Sequence, residues 1–538
     1  MPEIVRNSLF SPNIFFFTLF LLVMSLLLSH SYSVDEQGQV LLTWKNSLKC
    51  PTDALQSWNP EELSPCKWFG IHCNPSGEVV NISLNAVKLE GPLPSNFQSL
   101  KSLRTLNISS CSLTGTIPKE LGEYRELTSI DLSYNFLSGE IPSEICSLKR
   151  LHSLYLNTNF LEGGNYLEGE LPEEITNCTN LVGLGLSDTK ISGSLPSSIG
   201  KLKRLQALFI YGAQLAGHTP REIGNCTELT YLDLSSNLLN GKIPKSFGKL
   251  VKLQDLRLWN NSLVGTIPND LGDCIELIYL NISSNNLTGN IPRSFGRLAK
   301  LKELRLWGND LVGSIPNDLG NCIELTYLTI SDNLLTGTIP RSFGKLLKLQ
   351  ELRLWSNSLV GPIPEDLGNC TELILLSISI NFLTGNIPKS FGKLVKLQEL
   401  RLWRNNLVGP IPDDLGNCTE LTYIALSNNF LIGSIPRILG ELVKLQQLRL
   451  WNNSLVGPIP KDLGNCTELT YIDLSFNFLT GSIPRSFGKL LELEELYLSF
   501  NQLSSVIPSE LANCTELTHL FLDHNNFSGE LLVDPLAT

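Results

Sequence analysis

The tetrapeptide Leu-Arg-Leu-Trp occurs five times, setting Arg257, Arg305, Arg353, Arg401 and Arg449 two positions before Trp259, Trp307, Trp355, Trp403 and Trp451. The step from one copy to the next is constant, 257 to 305 to 353 and onward. A guanidinium makes forked, charge-assisted hydrogen bonds to carboxylates and sulfates. An indole adds a flat apolar face with one donor at its edge. This is the chemistry of recognition, and Arg, Trp and Tyr are the residues enriched at binding hot spots. Tyr231, Tyr279, Tyr327, Tyr423 and Tyr471 recur between the Arg-Trp units, and Asp255, Glu303, Glu351 and Glu399 stand two positions before four of the arginines. Two readings are open. The set forms a groove for an extended peptide or acidic ligand, or it is a pattern copied by duplication in which each acid neutralises its arginine.

Residues for bond-making chemistry are not arranged to act together. The six histidines (30, 72, 152, 218, 519, 524) are scattered and no His-Glu-x-x-His occurs. Each Gly-Lys pair is followed by Leu or Ile, so no phosphate-cradling loop of the Gly-Lys-Ser/Thr type exists. His-Arg-Asp and Asp-Phe-Gly are absent, which removes a kinase from this stretch of chain. The sequence therefore predicts no enzyme, no cofactor and no metal.

The elements that position the Arg-Trp units follow from a shorter ruler, half the step between those units. "LQDLRLWNNSLVGTIP", Leu253 to Pro268, is one copy of a pattern Leu-x-x-Leu-x-Leu-x-x-Asn-x-Leu-x-Gly-x-Ile-Pro. Its Asn falls at 237, 261, 285 and onward to 525; Asn135 and Asn159 keep an earlier phase, with Val87, Cys111, Thr189 and Ala213 in the same slot. That makes four copies before an irregularity at 159–172 and fifteen after it, nineteen in all. Leu-x-Leu alternation specifies a short strand with one buried face. The Asn amide can bond to backbone groups of neighbouring coils, Gly permits the turn, and Pro removes an N–H where the chain bends away. No copy can bury its leucines alone, so the coils must stack. The expected fold is an α/β-type leucine-rich-repeat solenoid, a right-handed superhelix with parallel strands on its concave face. Leucines point inward, so the Arg, Trp and Tyr residues fall on that concave face.

The cysteines separate into two kinds. Cys178, Cys226, Cys274, Cys322, Cys370, Cys418, Cys466 and Cys514 recur at every second copy of the pattern. Two coils place neighbours about 10 Å apart, beyond the reach of a bridge, so these read as buried free thiols. Cys66 and Cys73 lie close together in "CKWFGIHC" before the first repeat and are expected to close a disulfide in an N-terminal cap, leaving Cys50 without a partner. Thirteen Asn-x-Ser/Thr sequons are candidate glycosylation sites: Asn81, Asn107, Asn177, Asn225, Asn260, Asn281, Asn286, Asn369, Asn417, Asn452, Asn465, Asn513 and Asn526.

Residues 1–33 read as a secretory signal, with Arg6, an apolar run from Ile14 to Leu28 and Ser31-Tyr32-Ser33 at its end. The run is shorter than the roughly 20 residues of a spanning helix. The mature chain is therefore expected to be secreted or held at the outer face of the plasma membrane. Net charge is −11 over 538 residues, so nucleic acid is not an expected partner. The expected organisation is a signal at 1–33, a cap at 34–76, repeats at 77–527 and a tail at 528–538.

"DEQGQVLLTWKNSL" and "SWNPEELSPCKWFGIHC", followed by Leu-x-Gly-x-Ile-Pro repeats, resemble the ectodomain of plant leucine-rich-repeat receptor kinases. "EVVNISLNAVKLEGPLPSNFQSLKSLRTLNIS" and "NCTNLVGLGLSDTKISGSLPSSIGKLKRLQALFIY" are similar to the branch perceiving sulfated root meristem growth factor peptides. The resemblance implies a secreted peptide or protein ligand on the inner surface, a co-receptor with a short repeat ectodomain, and a kinase elsewhere in the protein. Three features depart from it. Leu161-Glu162-Gly163-Gly164 stands where the branch has Arg-x-Gly-Gly against the sulfated Tyr, and the doubled phrase "NFLEGGNYLEG" reads as the two ends of a deletion. The Arg-x-Arg pair that holds a ligand carboxylate in related receptors is missing, and the sequence stops at Thr538, shortly after the last repeat Asn at 525. Alternatives are an inhibitor resembling those of polygalacturonases, or a non-signalling fragment of a receptor-kinase gene.

Overall fold

The computed structural model describes residues 34–49, 53–96, 99–157 and 166–529. The signal segment, Cys50, the Leu161-Glu162-Gly163-Gly164 stretch and residues 530–538 lie outside the described residues. The chain divides into two units, the first running to Leu181 with Leu186–Lys190, the second comprising Val182–Gly185 and the chain from Ile191.

The first unit opens on the helix Glu36–Ser47, whose N-terminus is capped by Asp35: its carboxylate accepts the Gly38 N–H at 2.7 Å. Leu41 and Trp44 are buried, and Trp44 packs on Trp58, which in turn lies 5.5 Å from Trp68. Cys66 and Cys73 are joined in a disulfide with Cα atoms 5.4 Å apart. The strand Ile71–Cys73 pairs antiparallel with Val79–Ser83, and from there the order turns parallel through Thr105–Asn107, Ser129–Asp131 and Ser153–Tyr155. Tyr166–Glu170 pairs with Phe136–Gly139 through Ser138↔Tyr166 and Gly139↔Leu167. Phe136 and Leu137 meet the coil before them in the same register. So the second copy of the doubled phrase, Tyr166-Leu167-Glu168-Gly169, fills the regular place in the coil, with Leu167 fully buried.

In the second unit, fifteen three-residue strands from Gly183–Gly185 to His519–Phe521 pair in parallel among the described residues, each one coil beyond the last. The coil starting at Leu253 shows why. Leu256 and Leu258 are 0% and 1% exposed, and the strand Asp255–Arg257 faces Tyr279–Asn281 in register. The turn is held by the amide of the next coil: Asn285 Nδ2 donates to the carbonyls of Leu258, Ile282 and Ser283 at 3.0–3.2 Å, while its Oδ1 accepts Leu263 N–H at 3.0 Å. At two of the four positions where Asn is replaced, a side-chain donor does part of this work: Cys111 Sγ reaches Leu84 O at 2.8 Å and Thr189 Oγ1 reaches Leu186 O at 2.9 Å; Val87 and Ala213 bring no side-chain donor. Pro268 then leads into a short 3₁₀ helix, Asn269–Asp273. Gly272 in that turn has no room for a side chain, since a Cβ would sit 2.5 Å from the carbonyl oxygen of Ser294 in the next coil.

The doubled period is a packing period. Phe247, Phe295, Phe343, Phe391 and Phe487 fill alternate turns completely buried, and the coil after each one carries a buried Cys. Cys274, Cys322, Cys370 and Cys418 each donate to the carbonyl of that preceding Phe at 3.1–3.2 Å. The ten free cysteines described are all buried.

Candidate functional site

Leu256, Leu304, Leu352, Leu400 and Leu448 occupy the middle of their strands and are fully buried. Side chains alternate along a strand, so the flanking acid, the arginine and the tryptophan beyond Leu258 or its equivalents share the opposite, solvent face. Tyr231, Tyr279, Tyr327, Tyr423 and Tyr471 hold the first position of the intervening strands. Every Arg, Trp and Tyr picked out by its spacing thus lies on one face of the second unit. Trp307 and Trp355 are 39% and 36% exposed, while Trp259, Trp403 and Trp451 are half-buried. Leu375 takes the place a tyrosine would hold in its coil.

Four arginines are neutralised where they stand. Arg257 makes a forked contact with Asp255, Nε to Oδ1 at 2.9 Å and Nη2 to Oδ2 at 2.8 Å. Arg305 pairs with Glu303. Arg353 and Arg401 donate through Nε to Glu351 and Glu399 at 3.0 and 2.9 Å. Arg449 differs, because Gln447 replaces the acid. Its Nη2 donates to Gln447 Oε1 at 3.1 Å, and its Nε is buried without an acceptor among the described residues. The guanidinium carbon of Arg449 lies 4.2 Å from the ring centroid of Tyr471 and 5.7 Å from that of Tyr423. Arg257 and Arg401 lie over Tyr231 and Tyr423 at 5.4 and 4.6 Å.

The flanks of this column are acidic and buried. Asp233 and Asp473 sit in register with Arg257 and Arg449. Burial pushes both carboxyls above the usual carboxylate range, against the pull of hydrogen bonds from Ser235 and Ser475. Burial, then Asp255, raises the Tyr231 phenol; burial, then Asp473, raises Tyr471. Both phenols therefore stay neutral donors.

Sequence reasoning missed the aromatic extension of the column. Tyr471 and Tyr497 rings lie 5.5 Å apart, and Tyr497 stacks on Phe521 at 5.0 Å. A second stack runs Phe476–Phe500–His524, with centroids 4.3 and 4.0 Å apart. The ruler carried the signal, since Tyr497 and Phe521 occupy the slots of Arg449 and Asp473 in later coils. Among the sequons, Asn177, Asn225, Asn369, Asn417, Asn465 and Asn513 are exposed at the ends of short 3₁₀ helices, and Asn260, Asn286, Asn452 and Asn526 are exposed as well. Asn81, Asn107 and Asn281 instead sit half-buried in strands. Asn281 Oδ1 is engaged by the Ser283 N–H and hydroxyl.

Comparison with known proteins gives this face its context. Leucine-rich-repeat profiles match residues 252–311 and 467–527 and seven shorter stretches between 102 and 466, and the leucine-rich-repeat N-terminal domain matches 34–74. A solved structure described as plant peptide hormone receptor RGFR1 in complex with RGF2 is 40% identical, covers 86% of this chain and 84% of its own, and superposes with a TM-score of 0.73. The chain belongs to the plant leucine-rich-repeat receptor ectodomains. The ectodomain of the Arabidopsis receptor kinase HAESA, solved with the peptide hormone IDA and the co-receptor SERK1, is 32% identical over 93% of this chain and 91% of its own, with a TM-score of 0.72. Within the family, this ectodomain falls in the branch of RGFR1. The Arabidopsis thaliana LRR receptor-like serine/threonine-protein kinase RGI3 is 47% identical over 110 residues, which are 20% of this chain and 9% of that kinase. The match therefore spans less than a tenth of that relative's length.

Proposed function

We propose that this chain is the extracellular recognition module of a plant receptor, and that a secreted peptide or protein ligand lies across the Arg, Trp and Tyr column between Arg257 and Trp451. The observation that carries the reading is the placement of five Arg-Trp pairs and five tyrosines on one solvent face of consecutive coils. Exposed aromatic surface of this extent marks binding surfaces. The similar solved structures RGFR1 and HAESA hold peptide hormones, and HAESA is bound to the co-receptor SERK1. A co-receptor with a short repeat ectodomain is the corresponding second partner here. The same neighbours favour a receptor over the inhibitor alternative. The kinase activity named for RGI3 belongs to that protein; in this chain the work is recognition.

The test is selection of binders from a displayed library of secreted plant peptides, followed by titration of the best binder against the wild-type protein and against Trp307→Ala and Trp355→Ala. Each substitution trims an exposed side chain and should weaken binding at least tenfold, about 1.4 kcal/mol. Unchanged affinity in both variants would remove the column as the ligand surface.

A further inference from the structure

Two stretches of the chain read Trp-Asn-Asn-Ser-Leu-Val-Gly, at 259–265 and at 451–457. Each sets a sequon asparagine, Asn260 or Asn452, at the bend after the strand Asp255–Arg257 or Gln447–Arg449. Both asparagines are exposed, and both hold a left-handed backbone with φ of 54° and 55°. What differs is the company from neighbouring coils. The N–H groups of Asn429, Asn453 and Asn477 donate to the carbonyls of Asn452, Phe476 and Phe500 at 3.2 Å. Asn428, Asn452, Phe476 and Phe500 therefore fill one slot of successive coils. Around Asn260 the same slot carries Ser236, Ser284 and Gly308.

The rings near Asn452 are open to solvent. Phe430, Phe476, Phe478 and Phe500 are between 40% and 58% exposed. Together with Asn428 and Asn452 they line a hollow of about 490 Å³, within the range of small-ligand sites. Phe476 and Phe500 have φ of 53° and 56°, a backbone that bulky residues rarely adopt. Strain of this kind clusters at binding sites. Phe500 stacks on one face of the Phe476 ring with centroids 4.3 Å apart. The other face is left to the coil of Asn452, the residue to which a glycan attaches. At the equivalent places around Asn260 stand Leu238, Ser284, Asn286 and Gly308, none of which carries a ring.

We propose that Asn452 carries an N-linked glycan whose first N-acetylglucosamine lies in this hollow, with its pyranose face on the Phe476 ring. The donor is an oligosaccharide bound to a polyisoprenoid pyrophosphate. Its anomeric carbon breaks the bond to the pyrophosphate oxygen, which keeps the electron pair, and bonds to Asn452 Nδ2 as one amide proton is released. Nδ2 retains its second hydrogen and with it the means to keep the 2.6 Å donation to Asn428 Oδ1, which holds the amide over the hollow. The face of a pyranose is lined by weakly positive C–H groups and sits well on the negative face of an aromatic ring. Covalent attachment commits the hollow to this occupant. Asn260 has the same local sequence and lacks the rings, so its glycan stands free in solvent. The inference holds whichever ligand the column takes.

The test uses the full chain secreted from a mammalian cell line and treated in its native state with a peptide N-glycosidase. Release at Asn260 and at Asn452 is followed by glycopeptide mass spectrometry. After denaturation the two glycans should be released at equal rates. In the native protein release at Asn452 should be about tenfold slower than at Asn260, equivalent to about 1.4 kcal/mol, because the sugar must first leave the ring. Phe476→Ser and Ser284→Phe each install a residue that this slot already holds in another coil at nearly the same φ, so the backbone accepts both. Phe476→Ser should bring Asn452 to the rate of Asn260, and Ser284→Phe should slow release at Asn260. Absence of a glycan at Asn452, equal native rates in the wild type, or slow release that survives Phe476→Ser overturns the proposal.

Discussion

Arg353 and Arg449 share nearly the same sequence neighbours and differ in electrostatic company, because Glu351 stands before one and Gln447 before the other. That difference was legible in the sequence, as was the pairing of the other arginines. The raised carboxyls of Asp233 and Asp473 were not, because their burial follows from the packing of neighbouring coils rather than from residue type. Asp473 gives a direct check. Its Oδ1 accepts from Ser475 N–H and Oγ at 3.0 and 2.6 Å, and Asn281 Oδ1 holds Ser283 in the same way at the equivalent place of an earlier coil. Asp473→Asn should therefore keep the fold. The folded pKa of Asp473 is raised by burial, so its favourable contribution is full below the unfolded carboxylate pKa and is lost as pH rises through the folded value. Melting temperatures of variant and wild type should coincide at low pH and separate in the variant's favour at neutral pH. A variant less stable only at neutral pH would show that Asp473 is held by Arg449 more strongly than it is penalised by burial.

At the scale of the element, the coil and its repeat length could be read from the chain, and so could the stacking of strands. The coils at 159–172 could not, since two copies of one phrase compete for one place and only packing shows that Tyr166–Glu170 takes it. Phe precedes five of the eight recurring thiols, while Ile145, Ile199 and Leu439 precede Cys178, Cys226 and Cys466. Burial raises Cys274, Cys322 and Cys370 to about 12 and Cys226, Cys418 and Cys466 to about 11. These thiols should resist a maleimide reagent in the native protein and react after unfolding; reaction at native rates equal to those of the unfolded chain would contradict their burial. A raised folded pKa means that the associated stability is present below the unfolded thiol value and lost as pH climbs toward 11–12. The asparagine ladder is more demanding. Asn357 Nδ2 donates to Ile330 O and Leu354 O at 3.1 Å, and its Oδ1 accepts Leu335 N–H at 3.1 Å. Asn357→Ala leaves buried backbone groups unpaired at about 1–3 kcal/mol each. Denaturant unfolding should show a loss of about 3 kcal/mol, and a loss below about 0.5 kcal/mol would show that water or backbone relaxation replaces the amide.

Across the whole molecule, the eight tryptophans fall into two populations that report on different things. Trp44, Trp58 and Trp68 in the cap are 1–2% exposed. The other five stand on the proposed ligand face, with Trp307 and Trp355 exposed. In a stacked repeat each coil contacts only its neighbours, so a ligand on the column has no direct means of altering the cap. Collisional quenching of tryptophan fluorescence by acrylamide, in the free protein and at saturation with a library-selected peptide, therefore tests the central claim directly. In the free protein a quenchable fraction should come from the rungs and a protected fraction from the cap. Bound peptide should abolish most of the quenchable fraction, and Trp307→Ala with Trp355→Ala should remove the same fraction without peptide. Tight binding of that peptide with the quenchable fraction unchanged would place the ligand elsewhere and contradict the account.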